Sequence, residues 1–404
     1  MDTSFKSHAM TPIPLSEPEI RGNEWVYVKE CLDSGWVSSA GTFVDRFERN
    51  LSALVESNHA VATSSGTAAL HLALLVAGVQ ADEEVIVPSL TFIAPANAVR
   101  YVGAYPVFVD IESKYWQLDV EKVGDFIAKE CAWRDGCLWN RQTGRRVSAV
   151  IPVHVLGHPT DLDPLCGLAA QYHLKVIEDA SESLGSRYRQ RPTGSIGHIG
   201  CFSFNGNKIV TTGGGGMMVT NDSNWAERAR YLSTQAKDDP VRYRHEQVGY
   251  NYRLSNIQAA VGCAQLERLE SFVERKRKIA AMFNEKLREI DGLRTPQEAE
   301  WAFSNSWLYS ILLDPSHGWD VEGVMQDLNK SGVQCRPLWQ PLHLSNAHAG
   351  CQSYHCTTSQ MVASCALSLP SSVGLKEEHI DFISHRLASY RRYCQNSLGA
   401  ARHR

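Results

Sequence analysis

Gly200-Cys-Phe-Ser-Phe-Asn-Gly-Asn-Lys-Ile-Val-Thr-Thr-Gly-Gly-Gly-Gly-Met-Met-Val-Thr220 reads as an apolar strand, a turn of small and polar residues that carries Lys208, and a second apolar strand. Upstream, Lys175-Val-Ile-Glu-Asp179 is another apolar strand, with Asp179 at its carboxyl end. Outward from these, between Val61 and Asp222, short apolar runs repeatedly give way to longer amphipathic stretches, as βαβ units with a largely parallel sheet require. Glu84 to Pro88 and Pro106 to Asp110 are expected strands around a helix from Ala94 to Val102. Val147 to Val153 and Lys175 to Asp179 flank a second helix, Leu162 to His173. Strands that are apolar throughout are buried on both faces, and ligands in such sheets collect beyond the carboxyl ends of the strands.

With 404 residues, 43% of them hydrophobic, the chain is long enough for a large domain plus a smaller one. The expected division is an extended segment over 1–22, a large domain over 23–254, a long connecting helix over 255–290 and a small α+β domain over 291–404. The helix is expected because Ser255 to Ile290 holds no proline and carries a charged run from Glu267 to Lys278. In the last portion, Trp307 to Leu313 and Val333 to Leu338 read as strands around a helix from Val321 to Asn329, with a final helix from Glu377 to Tyr393. The insertion Trp133 to Arg146 reads as a polar hairpin or loop.

A net charge of −4, from 40 basic and 44 acidic residues interspersed along the chain, creates no field that would gather nucleic acid or an anionic membrane. The first ten residues lack the apolar core of a signal peptide, and no apolar run reaches the roughly 18 residues that span a bilayer, so a cytoplasmic location is expected. The 11 cysteines are scattered without a Cys-x-x-Cys pair, which points to reduced thiols and no metal cluster. Cys201 and Cys263 look like small core residues.

Ser64-Ser-Gly-Thr-Ala-Ala-Leu-His-Leu-Ala73 places small residues before an apolar helix, where free backbone N–H groups suit a phosphate; an ordinary capped helix has the same pattern. The run Gly213 to Gly216 lacks P-loop spacing and reads as a tight turn with close backbone approach. Alone, Lys208 would be a solvated lysine, Asp179 a helix cap and Ser203 an alternating strand residue. Together, an amine in a turn and a strand-end carboxylate are what a pyridoxal phosphate site needs: the lysine forms a Schiff base and the acid keeps the pyridine nitrogen protonated.

Six segments occur in the order seen in the DegT/DnrJ/EryC1/StrS sugar aminotransferases, which the chain resembles from about Ile13 onward. They are Ser65-Gly-Thr-Ala-Ala-Leu70, Val87-Pro-Ser-Leu-Thr-Phe-Ile-Ala94, Pro152-Val-His-Val-Leu-Gly157, Ile177-Glu-Asp-Ala-Ser-Glu182, Cys201-Phe-Ser-Phe-Asn-Gly-Asn-Lys208 and Gly249-Tyr-Asn-Tyr-Arg-Leu254. The resemblance implies an α/β fold of type I pyridoxal phosphate transferases: a mostly parallel central sheet with helices on both faces, plus a smaller C-terminal α+β domain. It implies pyridoxal 5′-phosphate as cofactor, with Lys208 as the Schiff-base lysine and Asp179 as the partner of the ring nitrogen. Gly66, Thr67 and Ala68 with Ser203 would hold the phosphate, Phe92 would stack on the ring, and Glu182, where glutamine is commoner, would approach the ring's phenolic oxygen. Asn251 resembles a residue that reaches the neighbouring subunit's phosphate, which implies a homodimer with shared active sites.

More finely, Gly35-Trp-Val-Ser38, Asn205 to Gly216 and Ser233 to Pro240 look most like the legionaminic acid and bacillosamine branch. That likeness implies L-glutamate as donor and a UDP- or GDP-linked 4-keto-6-deoxy-N-acetylhexosamine as acceptor, in surface glycan biosynthesis. His154 and Trp36 are candidate sugar contacts, although a histidine after an apolar strand is as often structural. The rival readings are a related sugar dehydratase, in which histidine replaces the lysine, and a catalytically silent sensor on the same fold. A nicotinamide oxidoreductase would need a Gly-x-Gly-x-x-Gly turn after the first strand, which is absent.

Overall fold

A computed structural model describes residues 12–239 and 241–402. The first part of the segment expected over 1–22, and Pro240 of the Ser233 to Pro240 motif, lie outside these residues. The main sheet runs, in spatial order, His59–Thr63, Gly216–Thr220, Ile199–Ser203, Lys175–Asp179, Arg146–Val150, Glu84–Pro88, Tyr105–Val109 and Ser353–Tyr354. Its neighbours pair in parallel except around Gly216–Thr220, which is antiparallel to both of its partners. The type I architecture expected from the sequence is therefore present.

Alternate residues of each strand enter different apolar clusters, as a pleated strand buried on both sides requires. Val61, Cys201 and Met218 join one cluster with Leu70 and Leu72, whereas Ala62, Phe202 and Met217 join another with Phe47 and Phe204. The helices Gly66–Val76, Ala94–Tyr101, Leu162–Gln171 and Ser223–Ser233 supply much of the covering layers.

The insertion forms a hairpin, Cys131–Arg134 with Cys137–Asn140. Asp135 and Gly136 turn it at φ of 52° and 72°, the doubly positive geometry that matches strand twist and that Asp-Gly supplies.

Two expectations are corrected. The segment over 255–290 forms two helices, Asn256–Leu266 and Leu269–Leu287, broken at Glu267 and Arg268. The break has a tertiary origin. Glu267 accepts from Asn23 Nδ2 at 2.8 Å, Tyr27 Oη at 2.6 Å and Arg46 at 3.0 Å, and the first helix is packed by small buried residues such as Ala259, Ala260 and Cys263 while the second is amphipathic. The strand expected over Val333 to Leu338 shrinks to Arg336–Pro337, since Pro337 has no N–H to donate and Gln334 donates instead to the Ile13 carbonyl at 2.9 Å.

A separate sheet of Leu293–Arg294, Tyr309–Leu313, Ala366–Leu369 and Arg336–Pro337 carries its own apolar cluster around Phe283, Ile311, Leu328 and Ile383. The last helix runs Glu377–Arg402, longer than expected. Among the described residues no helix is long and apolar enough to cross a membrane, and no group of His, Cys, Asp and Glu is placed to hold a metal.

Candidate active site

At the carboxyl edge of the sheet a cavity of about 430 Å³ opens, and Asp179 and Lys208 both line it. Parallel register sets Cys201 beside Asp179, so the strand that leads to Lys208 lies next to the one that ends in the acid. The lysine loop is closed by backbone bonds from Phe204 to Gly215 at 2.8 Å, Thr212 to Phe204 at 2.9 Å and Lys208 to Asn205 at 2.9 Å. At its far end Gly216 lies against Ser65. A Cβ there would stand 2.3 Å from the Ser65 carbonyl oxygen, which is the close backbone approach expected of the glycine run.

The Lys208 amine stands 3.4 Å from Glu182 Oε1 and 3.9 Å from the ring centroid of Trp307. Glu182 also accepts the Leu156 N–H at 2.8 Å. Asp179 accepts the Ser181 N–H at 3.0 Å and, among the described residues, forms no ion pair with a basic side chain. Burial pushes both carboxyls above their usual range, with the lysine charge opposing. Two buried acids therefore share one nearby cation, a deficit that a protonated heterocyclic nitrogen would make good.

The helix Gly66–Val76 starts at the cavity wall with Ser65 as its cap. Ser65 Oγ takes the Ala68 N–H at 3.0 Å, so the capped-helix reading holds and Ala68 is not free for a phosphate as the sequence implied. The N–H groups of Gly66 and Thr67 remain in the first turn, where the helix itself offers no acceptor. Gly66 faces Ser203 and Ser181: a Cβ on it would come within 2.8 Å of Ser203 Cβ and 3.3 Å of Ser181 Oγ. Two serines and a helix start thus form an anion cradle at one end of the cavity, with Asp179 also on its wall.

Phe92 lines the same cavity and is 53% exposed. Asn251 is exposed and lies outside it, as does Trp36, whose carbonyl accepts from Asn256 Nδ2 at 2.7 Å. His154 is corrected as a sugar contact. Val153 lines the cavity, whereas His154, beyond the end of the strand Arg146–Val150, is completely buried, with Nδ1 accepting the Thr160 N–H at 3.1 Å and Nε2 donating to Glu178 at 3.0 Å. Burial alone would raise Glu178, but His154 and the N–H groups of Gly197 and Gly194 outweigh it and hold the carboxyl below its usual range.

Sequence reasoning missed Trp307, Trp339, Thr91 and Ser181, all on the cavity wall. Trp307 is anchored by the wholly buried Lys276, whose amine donates to the carbonyls of Trp307 and Ser371 at 2.7 Å each. Burial pushes this amine down from 10.5 to about 7, and a neutral amine has two hydrogens for its two acceptors. Above about pH 7 the folded amine is neutral while the unfolded one stays charged up to 10.5, so stability rises with pH across that window by up to about 1.4 kcal/mol per unit. Lys276→Met is expected to flatten the slope, measured by urea unfolding at pH 7, 8 and 9; an unchanged slope refutes the assignment.

The model of the DegT/DnrJ/EryC1/StrS aminotransferase family matches residues 18–388. The chain is 38% identical over 370 residues to GDP-perosamine synthase of Caulobacter vibrioides, covering 91% of this chain and 95% of that one. It is 35% identical over 381 residues to GDP-perosamine synthase of Escherichia coli O157:H7, covering 94% and 99%. Among solved structures, DesI in the presence of its TDP-sugar product superposes with a TM-score of 0.85 at 29% identity, covering 97% of this chain and 96% of that one.

Proposed function

The chain belongs to the DegT/DnrJ/EryC1/StrS aminotransferase family and is a pyridoxal 5′-phosphate-dependent sugar-nucleotide aminotransferase; on that premise we propose that it moves an amino group from L-glutamate to C4 of a nucleotide-linked 4-keto-6-deoxyhexose. The observation that carries this reading is the convergence of the Lys208 amine and the Asp179 carboxylate on one cavity. When bound, pyridoxal 5′-phosphate supplies an electron sink for the pair released when a C–H bond next to nitrogen breaks.

The protein's own groups do the rest. The N–H groups of Gly66 and Thr67, with Ser203 and Ser181, hold the phosphate, and Asp179 keeps the ring nitrogen protonated. Phe92 covers the ring, and Glu182 sits at the lysine's side. Lys208 anchors the cofactor, takes the α-proton of glutamate at Nζ in the first half and returns a proton to the sugar carbon in the second. Because this position holds lysine, the dehydratase reading is disfavoured, and glutamate-driven loss of the bound cofactor's absorption band separates an enzyme from a silent sensor.

The relatives' names favour GDP as the nucleotide and a sugar without the N-acetyl group, in place of the N-acetylhexosamine expected from motif likeness. The legionaminic acid and bacillosamine branch rests on that likeness alone. Incubation with glutamate and 4-keto sugars linked to GDP, UDP or TDP, with and without a 2-acetamido group, decides the matter. The GDP-linked hexose is expected to yield 2-oxoglutarate and a C4 amine by NMR; amination of the UDP-linked acetamido sugar alone would overturn the GDP assignment.

We further propose a homodimer with shared sites. Lys208 is the one cationic side chain on the cavity wall among the described residues, while Trp25, Trp36, Tyr101, Val241 and Tyr243 are large apolar side chains left exposed. Asn251 would then serve the partner's phosphate. Mixing inactive Lys208→Ala and Asn251→Ala proteins after mild dissociation is expected to restore activity, up to about half of that of the wild type per mixed dimer, since one of its two sites is intact; no recovery despite subunit exchange counts against sharing.

Gly66→Ala puts a methyl into the phosphate cradle. Affinity for pyridoxal 5′-phosphate, titrated by fluorescence, is expected to fall at least about tenfold, with about 1–2 kcal/mol lost from folding through overpacking. Unchanged affinity would place the phosphate elsewhere.

A further inference from the structure

The face of Trp307 meets the Lys208 amine at 3.9 Å from the ring centroid, and the residue is only 2% exposed. Its pose is fixed on several sides. The indole N–H donates to the Asn207 carbonyl at 2.8 Å, next to the lysine itself. The backbone N–H donates to Asn305 Oδ1 at 2.9 Å, and Asn305 donates in turn to the Glu182 and Leu184 carbonyls at 2.9 Å each. Lys276 clamps the Trp307 carbonyl at 2.7 Å. The ring is thereby tied to the lysine loop and to the segment that carries Glu182, and the amine sits between a carboxylate and a π face. An ammonium is attracted by the negative face of an indole; a neutral amine gains little from it.

We infer that Trp307 is a positioning residue that selectively stabilises the Lys208 ammonium formed each time this lysine takes up a proton during amino transfer. The inference rests on the proposed role of Lys208 as acid and base. In the first half the α-C–H bond of glutamate breaks, its proton forms an N–H bond at Nζ, its electron pair is taken up by the bound cofactor, and Nζ then passes the proton to the cofactor's exocyclic carbon; in the second half a C–H bond at that carbon breaks, its proton returns to Nζ, and Nζ gives it to C4 of the sugar, which leaves the amine neutral again. Trp307 favours the protonated side of both transfers.

Lys208 is used in opposite protonation states in two measurable steps. Capture of free cofactor needs the neutral amine as nucleophile, whereas proton abstraction ends in the ammonium. In Trp307→Leu, the single-turnover rate with glutamate is expected to fall about tenfold, with a larger isotope effect from α-deuterated glutamate. The rate at which the cofactor-free full-length protein captures pyridoxal 5′-phosphate, read by absorbance, should be unchanged or faster. Trp307→Phe, which retains a ring face, should stay within about threefold of wild type in both steps. Equal slowing of both steps in Trp307→Leu would mean a structural role only and overturns the inference, as does an unchanged turnover rate.

If Trp307→Leu does not fold, protein grown on increasingly fluorinated tryptophan weakens the π face at nearly constant size. The glutamate half-reaction should then slow stepwise in wild type but not in Trp307→Phe, and parallel behaviour of the two overturns the inference. A wild-type protein that captures cofactor but is not discharged by glutamate would instead refute the proposed donor, whatever Trp307 does.

Discussion

Lys208→Ala is expected to abolish the absorption band of covalently held pyridoxal 5′-phosphate and to lower turnover by about ten-thousand-fold or more, because anchor, base and acid are lost in one substitution. The cavity offers no replacement, since Lys208 is the sole amine side chain on its wall among the described residues. Lys208→Arg separates charge from chemistry: it keeps a cation near Glu182 but cannot condense with an aldehyde at neutral pH, and should be equally inactive. The measurements are the absorbance spectrum with cofactor and the release of 2-oxoglutarate from glutamate. Turnover within tenfold of wild type in either variant would show that the chemistry lies elsewhere.

Asp179→Asn is expected to separate stability from activity. The carboxylate is buried, raised by that burial, and, among the described residues, not in an ion pair with a basic side chain, so it burdens the cofactor-free protein. A neutral amide of the same shape should stabilise that form by about 1–2 kcal/mol at neutral pH. Turnover should meanwhile fall about a thousandfold, since an amide cannot keep the ring nitrogen protonated. The pH dependence follows from the direction of the shift. A folded-state pKa above the unfolded value means that the penalty grows as pH rises through the folded value and vanishes below the unfolded one, where Asp179 is neutral in both states. The advantage of Asp179→Asn over wild type should therefore be largest near neutrality and disappear in acid, as urea unfolding without cofactor can test. A variant that is less stable at pH 7 and still active would sink this account of the acid.

Local pattern carried much of this in advance. Apolar strands between amphipathic helices disclose a parallel sheet, and Asp179 and Lys208 stand out because each ends an apolar run. What stayed hidden depends on tertiary partners. Glu267 breaks a helix by meeting Asn23, Tyr27 and Arg46, over 200 residues away in sequence, where no glycine or proline marks the spot. Trp307 reads as the start of a strand, yet two long-range bonds and one local bond to Asn305 hold it under the lysine as loop. Ser65 was legible as a cap, and its bond to Ala68 removes one of four expected phosphate donors.

The pairing of Cys201 with Asp179 has a consequence for protein engineering. The spacing of the two reactive groups is written into a backbone ladder in the middle of the molecule, and a slip of one residue would turn the acid to the opposite face. The loop that bears Trp339 on the cavity wall belongs to another segment and can be exchanged with those of relatives without retuning that spacing. Grafting that loop is accordingly a practical route to new acceptor sugars on an unchanged chemical engine.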